Sequence, residues 1–445
     1  MSQPVVIAGA GIAGLSAAVL LARQGQTVEV WEAQKSSGGL LAPVDFFGVP
    51  CDRGSHRIHM QADPLLQELT QEEDWQERPR RGMLVLNRQQ IPYPPSPLSF
   101  LSGLGPRVSL SMGLSWVLDP GVWQRFLSWE SDRTDTSDTD EGFESFVTSR
   151  VGQAAYHSFY RPYVEKVWGL PPSLISRTVA KQRVSTSSPW QTLLQALRPA
   201  EERQKQQYFL YPAAGMHGLL NNLLDKAEKA GVSIHYNQPL RLDNWPSDAK
   251  AVLYSGNLTS LAPESGLSHR GLYLLYCAFP KGTLPANDTW YTPETCYWFG
   301  RVSQPAQFSE TLQTPEADVL CVEIPEGAWG DKLDFTRRQD ELVQQLKNAG
   351  ILPEKAALLG IRQEFLPHVY PLYRRQWYKD WAVAIESLRS LGNVFPFGRQ
   401  GLFLHCNMDH CVRMASDVVE HIVRGGTSEE WLSQAERYLE LRVRD

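Results

Sequence analysis

A glycine-containing segment near the start of the chain constrains the fold more than any other part of the sequence. The apolar run Val5–Ala8 is followed by Gly9, Gly11 and Gly14 in the spacing G-x-G-x-x-G. Apolar residues then recur at helical spacing, and a second apolar run ends at Glu32. This order predicts a strand, a tight turn, a helix and a second strand, the unit that binds dinucleotides at the start of its helix.

Each feature of that unit has a physical role. Gly9 permits the tight turn, Gly11 lets the backbone approach a pyrophosphate, and Gly14 lets helix and strand pack closely. The helix N-terminus offers unpaired N–H groups and a partial positive charge to phosphate oxygens. Glu32 is predicted to accept hydrogen bonds from ribose hydroxyls. The alternative interpretation is a glycine-rich turn of structural use only.

Length, charge and cysteine content restrict the class of protein. The chain has 445 residues, a length that predicts two or three domains. Its formal charge of -6 gives no indication of nucleic-acid binding. No apolar run approaches the ~20 residues that span a bilayer, and no signal peptide is recognisable. The six cysteines form no C-x-x-C pair, which favours free thiols over a disulfide framework or zinc site. We therefore expect a cytoplasmic protein with no metal site.

Two further motifs resemble those of a known family. A Gly38-Gly39 pair follows the second strand, and Asp52–Arg57 reads D-x-G-x-H-R. Together with the glycine turn, they resemble the FAD-containing amine-oxidase superfamily, in particular its protoporphyrinogen-oxidase-like and UDP-galactopyranose-mutase-like branches. The family often has Arg or Lys after the glycine pair, whereas this chain has Leu40.

Later segments resemble the same branches in the same order. Lys166–Ser176 reads K-V-W-G-x-P-P-x-x-I-S, for which the alternative is a rigid corner anchored by Trp168. Asn393–Phe403 predicts a strand that leads to Gly398, and a helix is predicted near Met408–Val423. The N-terminus of that helix would stabilise negative charge on a reduced flavin.

The resemblance implies an α/β fold, in which a discontinuous Rossmann-type FAD-binding domain is joined to a mixed α+β substrate domain. Within the substrate domain, Phe100–Trp129 is predicted to be core, with membrane docking as the alternative, and Ser131–Glu141 is predicted to be an exposed loop. The C-terminal helix is predicted to be a solvated face or a dimer contact. The predicted boundaries are 1–62, 204–262 and 385–427 for the FAD-binding domain, 63–203 for the helical part and 263–384 for the antiparallel sheet of the substrate domain, and 428–445 for the C-terminal helix.

The resemblance also implies which residues contact a non-covalent FAD. They lie at the glycine turns, at the end of the second strand, near a strand that passes the adenine, and around the final helix. For Asp409, a helix cap is the alternative role. The predicted cofactor contacts are Gly9, Gly11, Ile12, Ala13, Gly14, Glu32, Ala33, Gly39, Leu40, Gly54, Ser55, His56, Leu240, Gly398, Arg399, Asn407, Met408 and Asp409.

The predicted catalytic residues are His56, His405 and Arg399. Histidine can exchange a proton near neutral pH, so either could assist proton loss from a substrate. The alternative for each histidine is a buried residue bonded to backbone, and for Arg399 it is a phosphate contact or a structural ion pair. Aromatic walls for the substrate are predicted at Trp298, Tyr370 and Tyr373.

Three functions are compatible with these motifs. The first is an FAD-dependent oxidoreductase that removes a hydride from a small organic substrate and passes electrons to an acceptor such as dioxygen. The second is a non-redox sugar-nucleotide mutase. Mutases resemble Y-R-Y-x-D-M-D where this chain has Phe403–Asp409, with Phe403, Leu404 and His405 in place of the polar residues, which favours the first. The third is a cofactor-less binding protein of the Rab escort type, which the intact glycine turn disfavours.

Overall fold

The computed structural model describes residues 3–93, 97–118, 142–183, 207–327, 334–441 and 443. The predicted loop Ser131–Glu141 and the end of the predicted Phe100–Trp129 stretch lie outside these residues. In chain order the strands are β1 (Val5–Ala8), β2 (Val28–Trp31), β3 (Val44–Phe46), β4 (Val49–Cys51), β5 (Ile58–His59), β6 (Trp75–Pro79), β7 (Gly82–Leu86), β8 (Gln89–Tyr93), β9 (Tyr208–Pro212), β10 (Ser233–His235), β11 (Ala251–Tyr254), β12 (His269–Pro280), β13 (Thr289–Tyr291), β14 (Arg301–Ser303), β15 (Ala317–Pro325), β16 (Gly360–Pro371) and β17 (Val394–Pro396).

The helices cover the sheets, and several lie in the described parts of the segment between β8 and β9. A π-helical turn at Tyr156–Tyr160 joins two of them. In chain order they are α1 (Ile12–Arg23), α2 (Leu65–Leu69), α3 (Pro97–Leu104), α4 (Pro106–Leu118), α5 (Phe143–Ala155), α6 (Arg161–Trp168), α7 (Arg177–Arg183), α8 (Gly215–Lys229), α9 (Leu258–Leu261), α10 (Gln339–Asn348), α11 (Trp377–Ser387), α12 (Gly398–Gly401), α13 (Met408–Val423) and α14 (Ser428–Gln434).

A parallel sheet in the order β10-β2-β1-β11-β17 carries the N-terminal glycine turn. Every residue of β1 is buried, as expected for a central parallel strand with both faces covered. Its strands come from three stretches of sequence that are far apart. α1 packs against α13 and α8, which brings the C-terminal helix of the sheet next to the glycine turn. The predicted α/β, Rossmann-type fold class is confirmed.

A seven-stranded sheet in the order β16-β12-β15-β14-β13-β7-β8 forms the second layer. Its pairs are antiparallel, as predicted, except that β13 pairs with β7 in parallel. The presence of β7 and β8 differs from the prediction that 63–203 is helical. Pro92 lies in β8, the edge strand, where a missing N–H costs no ladder hydrogen bond. The proline cluster therefore did not exclude a strand.

The two faces of this sheet contribute to different hydrophobic cores. Along β12, Leu274 and Tyr276 pack into the larger core, which includes the parallel sheet. The alternate residues Leu275 and Cys277 pack into a second core beneath α10. Because side chains alternate along a strand, a residue's position in β12 decides which core it joins. Only the first face is turned toward the glycine turn.

The C-terminal segment packs on the parallel sheet. Trp431 in α14 is buried, and its Nε1 donates to the Pro396 carbonyl oxygen at the end of β17. The apolar side of this segment is thus covered within the chain, and its charged side remains exposed. None of the helices in the described ranges has both the length and the apolar character that a membrane crossing requires.

Candidate functional site

The turn between β1 and α1 leaves an open space at one glycine only. A Cβ on Gly14 would lie 1.9 Å from the Gly9 carbonyl oxygen, so strand and helix touch there. A Cβ on Gly11 would have its nearest neighbour at 4.0 Å, the Gly38 carbonyl oxygen. Gly11 is also the N-cap of α1, whose first N–H groups lack intrahelical acceptors. The turn therefore presents free backbone donors beside an unfilled space.

Glu32 has a structural role that the sequence did not predict. Its Oε2 accepts from the Ala10 backbone N–H at 2.7 Å, and its Oε1 accepts from the Gln34 N–H at 2.8 Å. The carboxylate is buried, whereas the next residue, Ala33, is exposed. Each carboxylate oxygen has two lone-pair sites, so one acceptor position on each oxygen remains for a ligand.

The second glycine pair lies directly against the first turn. The Gly38 N–H donates to the Ala10 carbonyl oxygen at 2.8 Å, and a Cβ on Gly39 would lie 3.5 Å from the Gly11 Cα. Leu40, in place of the family's basic residue, is half-buried against the larger core. The Arg53 guanidinium donates to the Gly39 carbonyl oxygen at 3.0 Å and so brings positive charge to this position from another segment.

Glu323 in β15 holds the loop that contains Gly54, Ser55 and His56. Its Oε1 accepts from the Ser55 N–H at 3.0 Å, and its carboxylate pairs with Arg301 through two hydrogen bonds of 2.7 and 2.8 Å. Ser55 Oγ and His56 Nδ1 are buried atoms without a hydrogen-bond partner in the described chain. Buried polar atoms normally have partners, so these two atoms indicate a ligand position.

The electrostatic environment keeps His56 neutral. Burial, and then the positive charges of Arg301 and Arg399, lower the pKa of His56 to about 3. His269, on the same side of the sheet, has its pKa lowered to about 3 by burial and by His368 and Arg399. Proton exchange by His56 near neutral pH, which the residue type allows, is therefore disfavoured in the chain without a bound ligand. Its imidazole is a hydrogen-bond partner whose proton affinity depends on what binds beside it.

Arg399 is held by backbone carbonyls rather than by an acidic side chain. Its Nη1 donates to Cys406 O and its Nη2 to Val369 O, both at 2.9 Å, while its Nε is buried without a partner. Within the described ranges its guanidinium bonds to carbonyl oxygens and not to a carboxylate, which disfavours the structural ion pair that was the alternative for this residue. The preceding Gly398 packs against Ala13, since a Cβ on Gly398 would lie 2.9 Å from the Ala13 Cβ. This contact brings Arg399 to the first turn of α1.

His405 and Tyr373 are buried together in the core. His405 Nε2 lies 3.0 Å from the Pro371 carbonyl oxygen, and the Tyr373 hydroxyl donates to the Phe403 carbonyl oxygen at 3.1 Å. Both residues have a relative exposure of 1%. The structure therefore supports the alternative stated for His405, a buried histidine bonded to backbone, and it gives Tyr373 a packing role.

The two other predicted aromatic walls lie on opposite faces of the seven-stranded sheet. Tyr370, in β16, is half-buried and close enough to Arg301 and Arg270 to interact electrostatically. Trp298 belongs to the second core, where its ring lies 4.2 Å from the Arg338 guanidinium. The structure thus places Tyr370 near the His56 loop and does not bring Trp298 there.

The start of α13 differs in detail from the prediction. Asn407 is the N-cap, and the Asp409 carboxylate accepts from the Asp63 N–H at 3.0 Å. Asp409 is therefore not the helix cap, and its carboxylate already has a partner within the chain. Met408 is the first residue of the helix. Leu240 is buried in the loop between β10 and β11, so it lies near a strand and not within one.

Four residues near the site were not indicated by the sequence, namely Arg301, Glu323, His269 and Arg53. Arg301 and Glu323 are direct partners across β14 and β15. An opposite-charge pair at such positions is a recognisable signal, but only when the register of the two strands is known. The described residues contain no group of three or more His, Cys, Asp or Glu side chains placed to hold a metal ion.

Comparison with known proteins identifies a family and a curated relative that match parts of the chain. The family model of flavin containing amine oxidoreductases matches residues 12–259. Protoporphyrinogen oxidase 2, chloroplastic/mitochondrial, from Arabidopsis thaliana is 24% identical over 178 residues, which cover 39% of this chain and 34% of that protein. The match thus spans about a third of the length of this curated relative.

Solved structures share the fold over nearly the whole chain. A reduced UDP-galactopyranose mutase superposes with a TM-score of 0.78 at 18% identity and covers 100% of this chain and 98% of its own. A wild-type putrescine oxidase bound to putrescine superposes with a TM-score of 0.62 at 13% identity, covering 95% of this chain and 99% of its own. At these identities the likeness shows a common fold.

Proposed function

Because the chain belongs to the flavin containing amine oxidoreductase family, we propose that it binds FAD non-covalently and oxidises a small organic substrate by removing a hydride. The observation that carries this proposal is the open space at Gly11 together with the unpartnered buried polar atoms of Ser55 and His56. The open space at Gly11 accommodates a pyrophosphate, and the unpartnered Ser55 Oγ and His56 Nδ1 accommodate polar atoms of a ligand. The residues present therefore fit a flavin dinucleotide.

The chain's own groups would hold the cofactor as follows. The N–H groups at the start of α1 would donate to the pyrophosphate, and the remaining acceptor positions of Glu32 would receive ribose hydroxyls. Gly39 and Arg53 flank the pyrophosphate position from the second glycine pair. We propose that the segments 1–62, 204–262 and 385–427 form the binding domain for this cofactor. No Cys or His occurs in a recognised flavin-attachment motif, which supports non-covalent binding.

When bound, the flavin supplies the capacity to accept a hydride from a carbon atom. The chain's contribution is to orient the substrate, to exclude water and to place charge. Arg399 and the N-terminus of α13 provide positive potential near the His56 loop. His56 Nδ1 can accept a hydrogen bond from the substrate, and Tyr370 provides an aromatic surface on the same side of the sheet.

The proposal is tested with the purified protein. We expect it to be yellow, to contain one FAD per chain and to release free FAD on acid denaturation. A panel of small amines, alcohols and unsaturated compounds is then screened without air for the one that bleaches the oxidised flavin. Reoxidation by dioxygen identifies the acceptor. A colourless protein that takes up no FAD on reconstitution would contradict the proposal and favour a cofactor-less binding protein of the cytoplasm.

A second candidate function is a non-redox sugar-nucleotide mutase. The observation in its favour is the positive charge of Arg301 and Arg399 around His56, which suits a diphosphate. Against it, Phe403, Leu404 and His405 are all buried at 0–1% exposure, so these positions cannot bind a diphosphate. Conversion of UDP-galactopyranose by the chemically reduced protein, with no net flavin oxidation, would establish this alternative.

A further inference from the structure

Two cysteine side chains meet at the start of α13. The Sγ atoms of Cys406 and Cys411 are 3.6 Å apart, and both residues are buried, with relative exposures of 5% and 6%. Cys406 precedes the N-cap Asn407, and Cys411 lies in the first turn of the helix. Neither thiol takes part in the proposed flavin chemistry.

The surroundings distinguish the two thiols. The Cys406 thiol, a backbone hydrogen bond from Arg399 and the charge of Arg399 together lower the pKa of Cys411, against the effects of burial and of Asp409. Cys411 also lies near the positive end of the helix, which stabilises a thiolate. The hydrogen bond with Cys411 and burial raise the pKa of Cys406. Cys411 is therefore the cysteine that ionises more readily to a thiolate, whereas Cys406 stays a protonated thiol beside it.

A packing role accounts for part of this arrangement. Residues at the positions of Cys406 and Cys411 often form an apolar contact that fixes how the chain enters a helix. Cysteine behaves as a small apolar residue in such a contact. Packing does not require two sulfurs in contact, nor a backbone N–H that donates to one of them.

We propose that Cys406 and Cys411 are a peroxide-reactive dithiol that forms a reversible disulfide. The Cys411 thiolate attacks one oxygen of hydrogen peroxide; the other oxygen leaves as hydroxide and takes a proton to become water, and Cys411 becomes a sulfenic acid. The Cys406 sulfur then attacks the Cys411 sulfur, and the sulfenic oxygen departs as a second water. Two thiols and one peroxide thus give one disulfide and two waters. A low-molecular-weight thiol reverses the reaction by exchange.

The geometry needs only a local adjustment. The sulfurs must approach from 3.6 Å to about 2.05 Å. Cys406 lies outside the helix, so its side chain can rotate while Cys411 keeps its place in the turn. Peroxide is little larger than water and can use the small exposed fraction of each residue. The disulfide would close a short ring over Asn407–His410.

The test uses the full chain and requires no knowledge of its substrate. The reduced native protein is treated with hydrogen peroxide, then denatured in an alkylating reagent and digested with trypsin. Residues 400–413 form one tryptic peptide that contains both cysteines. We expect this peptide to be unalkylated and lighter by two hydrogen atoms than its reduced form, before the other four cysteines react. Treatment with a small thiol before alkylation should restore both alkylation sites.

Two variants and one control make the outcome decisive. In Cys406→Ser, peroxide should leave a sulfenic acid on Cys411, detected with a 1,3-dione probe. In Cys411→Ser, neither the disulfide nor the probe adduct should form. Cys296→Ser removes an exposed cysteine remote from the pair and should react like the natural chain. The proposal is overturned if both thiols stay alkylatable in the native protein at a peroxide dose that joins them in the urea-denatured protein. Because none of these readouts involves flavin, a failure here is distinct from a failure of the proposed function.

Discussion

The Glu32 carboxylate accepts a hydrogen bond from the Ala10 backbone N–H at 2.7 Å, so the end of β2 is fastened to the glycine turn after β1. Its other oxygen accepts from the Gln34 N–H. Replacement by glutamine leaves a single acceptor oxygen, and one backbone N–H then faces an amide NH₂ group.

We therefore expect Glu32→Gln to lower the free energy of unfolding by about 1–3 kcal/mol, the cost of an unsatisfied buried donor, and to weaken FAD retention. Denaturant unfolding and the flavin content after gel filtration measure the two effects. Glu29→Gln, on the same strand but partly exposed, is the matched control and should leave both unchanged. If Glu32→Gln has the same free energy of unfolding as the natural chain, the two hydrogen bonds contribute little to stability.

Gly11→Val should abolish flavin retention without unfolding the chain. The nearest atom to a Cβ at this position is 4.0 Å away, so the new side chain fits the protein and fills only the space proposed for the pyrophosphate. We expect at least a tenfold loss of bound FAD, larger than for Glu32→Gln, with native-like circular dichroism. By contrast, Gly14→Ala places a Cβ 1.9 Å from the Gly9 carbonyl oxygen and should impair folding itself. Full FAD occupancy in Gly11→Val would mean that the cofactor lies elsewhere.

The two histidines predicted to be catalytic should respond differently to alanine substitution. His405→Ala removes a buried ring bonded to the Pro371 carbonyl oxygen and should cost about 2–4 kcal/mol of unfolding free energy. Its flavin should still be reduced at the natural rate. His56→Ala should fold normally and slow reduction by the true substrate at least tenfold, as expected for loss of a hydrogen-bond acceptor that positions the substrate. Stopped-flow flavin bleaching and chemical denaturation separate the two results. Natural reduction rates in both variants would move the chemistry to other residues.

A similar division is expected for two tyrosines. Tyr373→Phe removes the hydroxyl that donates to Phe403 O and accepts from the His405 N–H, and it should cost about 1–2 kcal/mol of stability with no change in KM. Tyr370→Phe should leave stability within about 0.5 kcal/mol and raise KM, because Tyr370 lies on the side of the sheet that faces the site. A raised KM in Tyr373→Phe alone would reverse this assignment.

Asp52 should make the stability of the protein depend on pH. Burial raises the pKa of Asp52 to about 7, in spite of the hydrogen bond of 2.5 Å from the Tyr211 hydroxyl. Since the folded chain binds this proton more tightly than the unfolded chain, the contribution is fully present below about pH 4 and is lost as pH rises through about 7. Asp52→Asn imitates the protonated form.

We expect the variant to be more stable than the natural chain at pH 8 and similar to it at pH 4, where Asp52 is largely protonated in the folded chain and about half protonated in the unfolded one. Urea titrations at the two pH values measure the difference. Asp45→Asn, in the neighbouring strand β3, is an exposed control that should not change the slope between them. An unchanged pH slope in Asp52→Asn would show that Asp52 is ionised in the folded chain.

Features determined by local sequence were predictable. The alternation of strand, glycine turn and helix located β1, α1 and β2, and the amphipathic pattern located α13 at Met408–Val423. The role of Gly14 as a packing contact also follows from the motif. These features depend on neighbours in sequence, which a single chain displays directly.

Features determined by strand register or by the choice of sheet face were not predictable. The Arg301–Glu323 pair exists because β14 and β15 align in one register, and that register depends on the whole sheet. The sequence alone does not distinguish Trp298 from Tyr370 as an aromatic wall for the substrate. In the structure, Trp298 lies on the other face of the sheet. His405 is held in the core by residues from β16, far away in the chain.

The interleaved construction of the parallel sheet has a consequence for how the protein is made. β1, β2 and β11 leave the ribosome long before β17, and β12 to β16 are synthesised in between. Until β17 pairs with β11, the nascent sheet has an open edge, and Arg399 and α13 are not yet in place beside the glycine turn. Long-range parallel pairing of this kind forms slowly. Flavin capture should therefore occur only after β17 has been synthesised and has paired with β11. A chain that stops short of β17 should be degraded by proteases and should not accumulate as partly assembled apoprotein.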